Sequence, residues 1–210
     1  MTVTSTKPST ASTSTRERII EVAIELFARQ GYGGTSLRHI AEQLNITKAA
    51  VYHHFHTKDD IARVVVGRAL DVQQAATDRL TVAGTDPAAW QRALPQIIDI
   101  VIGHRRLLYA LERDEDTYKA LFANDPAIGT RLSDEGASLA GLLADPTVDP
   151  AVRVRLGCTL SALLGPFILL SDHYQDIPGD QLRQYLTSAI VVLLQDLSTE
   201  ADTRQGRHVG

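Results

Sequence analysis

Residues 35–55 read TSLRHIAEQLNITKAAVYHHF, and the fold turns on this stretch. Leu37, Ile40, Ala41 and Leu44 recur at helical spacing, and Val51 and Phe55 repeat that spacing after a break at "LNI". Thr35 or Ser36 can cap the first of these helices and Thr47 the second, because their hydroxyls accept from N–H groups that a helix start leaves unpaired. About three residues then separate the two helices, the length of a helix-turn-helix corner. Ile40, Ala41, Leu44, Ile46, Val51 and Phe55 can pack both against a preceding helix. That packing leaves Thr47, Lys48 and Ala49 free, followed one turn later by Tyr52 and His53. Small and hydrogen-bonding groups flanked by phosphate-binding groups are what a helix needs to read the DNA major groove.

Each side chain has an expected task. Lys48 and Lys58 can neutralise phosphates, and the Tyr52 hydroxyl can donate to a phosphate oxygen. Thr35 and Ser36 stand at a helix N-terminus, where N–H groups favour an anion. Ala49 or the Thr47 methyl can touch a thymine methyl, and His53 can bond a base edge or a phosphate. His54 completes the expected DNA-facing set.

Working outward, "RERIIEVAIELFARQG" (16–31) places Ile19, Ile20, Ala23, Leu26 and Phe27 at helical spacing and ends at Gly31. Thr57, with Asp60 three residues on, opens a fourth helix. Asp86-Pro87, Asp125-Pro126 and Asp149-Pro150 mark later helix starts, since Asp supplies the cap and Pro suits the first helical position. Asp145-Pro146 reads as loop, and Pro178 and Asp180 begin the final helix. Pro95 and Pro166 fall inside helical patterns and are expected to kink or break them.

The composition agrees with an all-α protein: Ala and Leu abound, strand-like alternation is almost absent, and aromatics are 5% of 210 residues. Residues 1–70 hold nine Lys/Arg against six acids, +3, while the remainder holds twelve against nineteen, −7. An anion-facing module joined to a body that is not anion-facing has this asymmetry. The only cysteine, Cys158, excludes an intramolecular disulfide and fits a reducing cytosol. The N-terminus lacks a signal-peptide layout. The longest apolar runs, "ALLGPFILL" and "AIVVLL", fall short of the roughly 20 residues that span a bilayer. The protein is expected in the cytoplasm.

The stretch "RERIIEVAIELFARQGYGGTSLRHIAEQLNITKAAVYHHFHTKDDI" resembles the N-terminal domain of the tetracycline-repressor (TetR) family. Ala23 and Phe27 before Gly31-Tyr32, Thr35-Ser36, Ile40-Ala41, Val51-Tyr52, His54-Phe55 and Lys58 carry the resemblance. Val51 stands where Leu is usual, and Ala49-Ala50 where Gly or Pro is frequent. The resemblance implies an all-α homodimer: an N-terminal three-helix helix-turn-helix DNA-binding domain followed by a C-terminal helical ligand-binding and dimerisation bundle. It also implies that ligand repositions the fourth helix and changes the separation of the two recognition helices. The expected divisions are a disordered arm (1–14), the DNA-binding domain (15–75), the bundle (76–200) and a flexible tail (201–210).

Two apolar stripes fit a dimer interface. One is Leu182, Tyr185, Leu186, Ala189, Ile190, Leu193 and Leu197; the other is Val152, Leu156, Leu160, Leu163, Leu164, Phe167 and Leu170. Both also fit an ordinary core. A two-fold dimer sets its recognition helices about 34–36 Å apart, so a palindromic operator on double-stranded DNA is expected. The small-molecule effector pocket is expected among Trp90, Ile97, Val101, His104, Leu108, Tyr109, Phe122, Leu139, Leu143, Phe167 and Tyr174.

Other chemistries are weaker. "HHFH" (53–56) is metal-like in composition, but neighbours on one helix diverge. "ERDED" (112–116) reads as a solvated helix end or loop, and Cys158 as an inert core thiol. No cofactor, metal or catalytic residue is expected. The alternatives to a ligand-released repressor are a DNA-binding relative without a small-molecule ligand, and an all-α enzyme that uses the fold.

Overall fold

The computed structural model describes residues 14–131, 141, 143–168 and 176–205. Among these, every regular element is a helix. The order is α1 (Thr15–Gln30), α2 (Leu37–Leu44), α3 (Lys48–His54), α4 (Lys58–Ala83), α5 (Pro87–Gly103), α6 (Arg105–Arg113), α7 (Glu115–Leu121), α8 (Pro150–Ile168) and α9 (Gly179–Gln205).

The starts and stops follow the sequence punctuation. Ser14, Ser36 and Thr47 cap α1, α2 and α3 by accepting from Glu17, His39 and Ala50 N–H groups at 3.2, 3.2 and 3.1 Å. Thr57 and Asp60 form a reciprocal capping box, at 3.1 and 2.8 Å. Gly31 closes α1 at φ 79° and Asn45 closes α2 at φ 54°, left-handed values that Gly and Asn tolerate best. Asp86, with Pro87 in the first turn, caps α5, and Asp149 bonds the Ala151 N–H ahead of α8. Asp145 instead closes a turn on Thr147. Pro95 and Pro166 break neither α5 nor α8. Pro95 is exposed on the outer face of α5.

Two cores form. The first joins Ile19, Ile20, Phe27, Ile40, Val51, Phe55, Ile61 and Val65 with Leu107, Leu111, Tyr118 and Phe122. The three-helix unit is therefore sealed by α6 and α7 from later in the chain, not by its own helices alone. The second core packs Leu80, Trp90, Leu94, Ile97 and Val101 against Leu156, Leu163, Leu182, Leu186, Ile190 and Leu194. Each such side chain contributes about 1.5–3 kcal/mol when fully buried. α4 runs unbroken through both cores for 26 residues, about 39 Å at 1.5 Å per residue.

Three expectations change. Leu182, Leu186, Ile190 and Leu194 face the core, whereas Tyr185 and Val192 stand 59% and 64% exposed, so the α9 stripe is two faces. Cys158 is exposed rather than a core thiol, because Leu156 and Leu163 take the inward face of α8. α9 continues to Gln205, past the boundary expected at 200. Residues 1–13 lie outside the described residues.

Candidate nucleic-acid interface

α3 is held from below by Val51, fully buried, and Phe55, 4% exposed. Its other face is open: Thr47, Lys48, Ala49, Tyr52 and His53 are exposed and His54 is half-buried. The Lys48 ammonium lies 5.3 Å from the Tyr52 ring centroid, one turn away, which steadies both long side chains without removing either from solvent. His53 and His54 meet edge to face at 5.1 Å. The Thr47 hydroxyl accepts from the backbone, yet its proton and methyl remain available to a base. The Arg16 guanidinium sits over the Phe55 ring at 5.0 Å and adds a cation beside the C-terminus of α3.

Two expected DNA contacts have other partners. Lys58 donates to the carbonyls of Tyr32, at 2.7 Å, and Thr35, at 2.9 Å, and stands 3.9 Å from the Tyr32 ring centroid. Burial holds its ammonium below the usual lysine range, against the pull of Asp59 and Asp114. Lys58 thus braces the turn before α2 through two of the three N–H groups of its ammonium. Thr35 is buried, and its hydroxyl donates to Gly31 O at 2.8 Å. Ser36 remains half-buried as the cap of α2.

The turn itself is densely bonded. The Tyr32 hydroxyl donates to Asp59, and its ring packs edge-on to Phe27 and Tyr118 at 5.6 and 5.7 Å. Burial, then the bond to Asp59, pushes the Tyr32 phenol well above its usual range. From "ERDED", Arg113 and Asp114 reach the same turn. The segment is a solvated helix end, with Arg113 and Asp116 exposed, and two of its side chains also bind across the fold. No local signal could reveal it, since the partners are 82–85 residues apart in sequence.

The expected effector-pocket residues do not converge on one cavity. Trp90, Ile97 and Val101 are packed into the second core, and Phe122 into the first. The Trp90 indole N–H is committed to Gly84 O at 2.8 Å. Leu108 and Leu143 are partly buried against the second core, and Tyr109 is half-buried. Leu139, Tyr174 and the side chain of Phe167 lie outside the described residues. A cleft of about 620 Å³ does open between α1, α4 and the α5–α6 junction. Glu21, Glu25, Arg68, Asp71, Arg105 and Arg106 line it with Ile24, Val72, Ile102 and Leu107, and of the expected set only His104 reaches it.

Residues 19–65 match the family described as bacterial regulatory proteins, tetR family. The negative transcriptional regulator IcaR of the icaADBC biofilm operon is similar to this chain in two species. The Staphylococcus epidermidis protein is 44% identical over 48 residues, 23% of this chain and 26% of that relative. The Staphylococcus aureus protein is 48% identical over 46 residues, 22% of this chain and 25% of that relative. The matched stretch thus spans about a quarter of these relatives' length. Among solved structures, the ketosteroid transcriptional regulator KstR2 of Mycobacterium tuberculosis superposes with a TM-score of 0.59 at 17% identity, covering 86% of this chain and 93% of that one. A transcriptional regulator from Aquifex aeolicus gives 0.58 at 20%, covering 86% and 99%. These likenesses extend the shared fold across the bundle. Residues 19–65 thus match the tetR family, and the chain shares the all-α fold of these solved regulators.

Proposed function

We propose that this chain is a homodimeric, sequence-specific transcriptional repressor that leaves a palindromic operator when a small-molecule effector binds. The observation that carries the reading is α3, a helix pinned by Val51 and Phe55 that offers Thr47, Lys48, Ala49, Tyr52 and His53 to a groove. Negative regulation follows the IcaR relatives, negative transcriptional regulators of the icaADBC biofilm operon. Dimerisation through α8 and α9 is favoured by their outward faces, where Val154, Cys158, Tyr185 and Val192 are exposed. The interdomain cleft is the favoured effector site, since its walls come from α1, α4 and α6 together. The chain acts as a regulator rather than an enzyme, in the cytoplasm beside the DNA it reads. Among the described residues no helix is long and apolar enough to cross a membrane.

The test is selection of duplexes by the full chain from a random-sequence pool, followed by binding measurements on what is recovered. Recovery of an inverted repeat supports the reading, and recovery of no sequence preference rejects it. Screening metabolite and drug libraries for release of that repeat then tests the effector.

A further inference from the structure

The turn Gly31–Thr35 connects α1 to the cap of α2, so its geometry fixes how the reading helices leave α1. It is gripped from two sides. From α4, Lys58 holds the Tyr32 and Thr35 carbonyls and Asp59 accepts from the Tyr32 hydroxyl. From the bundle, Arg113 Nη1 donates to Ala28 O at 3.0 Å and Arg29 O at 3.3 Å, the last carbonyls of α1. Asp114 Oδ2 accepts from the Tyr32 N–H at 2.7 Å. These are charge-assisted bonds to fixed backbone groups, so they set position and not merely proximity. The fit is close at Gly31, where a Cβ would lie 3.3 Å from Asp114 Oδ2 and 3.5 Å from Arg113 Nε.

α6 gives this grip a direction. Its first residues, Arg105 to Leu107, line the interdomain cleft, and its last, Arg113, grips α1. Nine residues span about 14 Å, so a change at one end is carried to the other by a short stiff rod.

We propose that Arg113 and Asp114 are positioning residues for DNA recognition, through which α6 sets the orientation of each helix-turn-helix. This rests on the dimeric, palindrome-reading function proposed above. Neither side chain need touch DNA. Each holds the α1–α2 turn at the angle that lets both recognition helices of a dimer meet their half-sites together.

The experiment uses the duplex that the full-length wild-type protein selects from a random pool, as an inverted repeat and as a single half-site of equal length. Asp114→Ala, Arg113→Ala and Asp114→Asn are compared, the last keeping a carbonyl acceptor for the Tyr32 N–H. Coupling between sites typically amounts to roughly 5- to 150-fold, so Asp114→Ala and Arg113→Ala should lose at least about fivefold on the inverted repeat. Their half-site affinity should be unchanged, and Asp114→Asn should restore binding to the repeat. Arg113→Ala guards against misfolding of the Asp114→Ala chain, because the carbonyls it frees lie at an exposed helix end. Equal losses on both probes would make the pair a local folding element and overturn the proposal, as would no loss on either. A wild-type protein that does not prefer the repeat would instead overturn the functional reading, and the positioning role with it.

Discussion

At the residue scale, two lysines ten positions apart separate into different tasks. Lys48 is exposed on α3, so Lys48→Ala should weaken binding to all DNA sequences and lower the salt slope by about one. A changed base preference at constant salt slope would contradict that role. His53→Ala should instead shift preference at particular bases, read by competition among single-base operator variants. Lys58→Met should act on stability, since it strips charged donors from two carbonyls, at a cost of about 1.5–3 kcal/mol in denaturant unfolding. An unchanged midpoint together with a reduced salt slope would return Lys58 to the phosphate. Both lysines were legible as cations. Their partners were not, because the Tyr32 carbonyl lies 26 residues from Lys58 and only the folded turn brings them together.

At the element scale, caps were the most readable feature. Ser36, Thr47, Thr57 and Asp86 all cap the helices that local chemistry assigned to them. Thr57→Ala removes half of the capping box and should cost about 1 kcal/mol, measured as a lowered denaturation midpoint. Thr57→Ser should recover most of it. Stripes were harder to read than caps. Tyr185 and Ala189 share helical spacing with Leu182 and Leu186, but the bundle buries only the second pair. Spacing finds an apolar surface without saying whether a core or a partner covers it. Prolines behaved similarly: Pro95 forfeits one backbone bond, yet its helix continues.

At the scale of the whole molecule, ion pairs tie the reading domain to α4 and the bundle. Arg68 holds Glu17 at 2.6–2.7 Å, and Arg63 holds Asp125 at 2.8 Å. The Arg68 bond holds the Glu17 carboxyl below its usual range, the Thr57 backbone does so for Asp60, and Arg63 for Asp125. Folded values below unfolded ones mean that this stabilisation is complete above the unfolded values of 3.8–4.5 and is lost as pH falls through the folded ones. Burial raises Glu112, which works in the opposite sense and favours the folded state as pH falls. With five carboxyls lowered, Glu42 and Asp145 included, against one raised, unfolding free energy should decline below about pH 4.5. Glu17→Gln should flatten that decline by lowering stability slightly at neutral pH and leaving it little changed in acid. A decline of unchanged slope in Glu17→Gln would remove that pair from the acid response.

The three short N-terminal helices were legible from motif and cap chemistry. The sealing of the first core by α6 and α7, and the grip of Arg113 and Asp114, were not, because contacts across more than 80 residues leave no local pattern. The cleft was least legible, since a space walled by α1, α4 and α6 exists only once they have packed.

The central claim is that α3 reads DNA sequence. The most direct measurement is binding of the purified chain to the DNA upstream of its own gene, in excess non-specific competitor and over a range of salt. A complex that survives the competitor, weakens steeply with salt and is lost in a Lys48→Ala/His53→Ala double variant is the predicted result. A complex that disappears with competitor, or that the double variant forms as well as wild type, would contradict it.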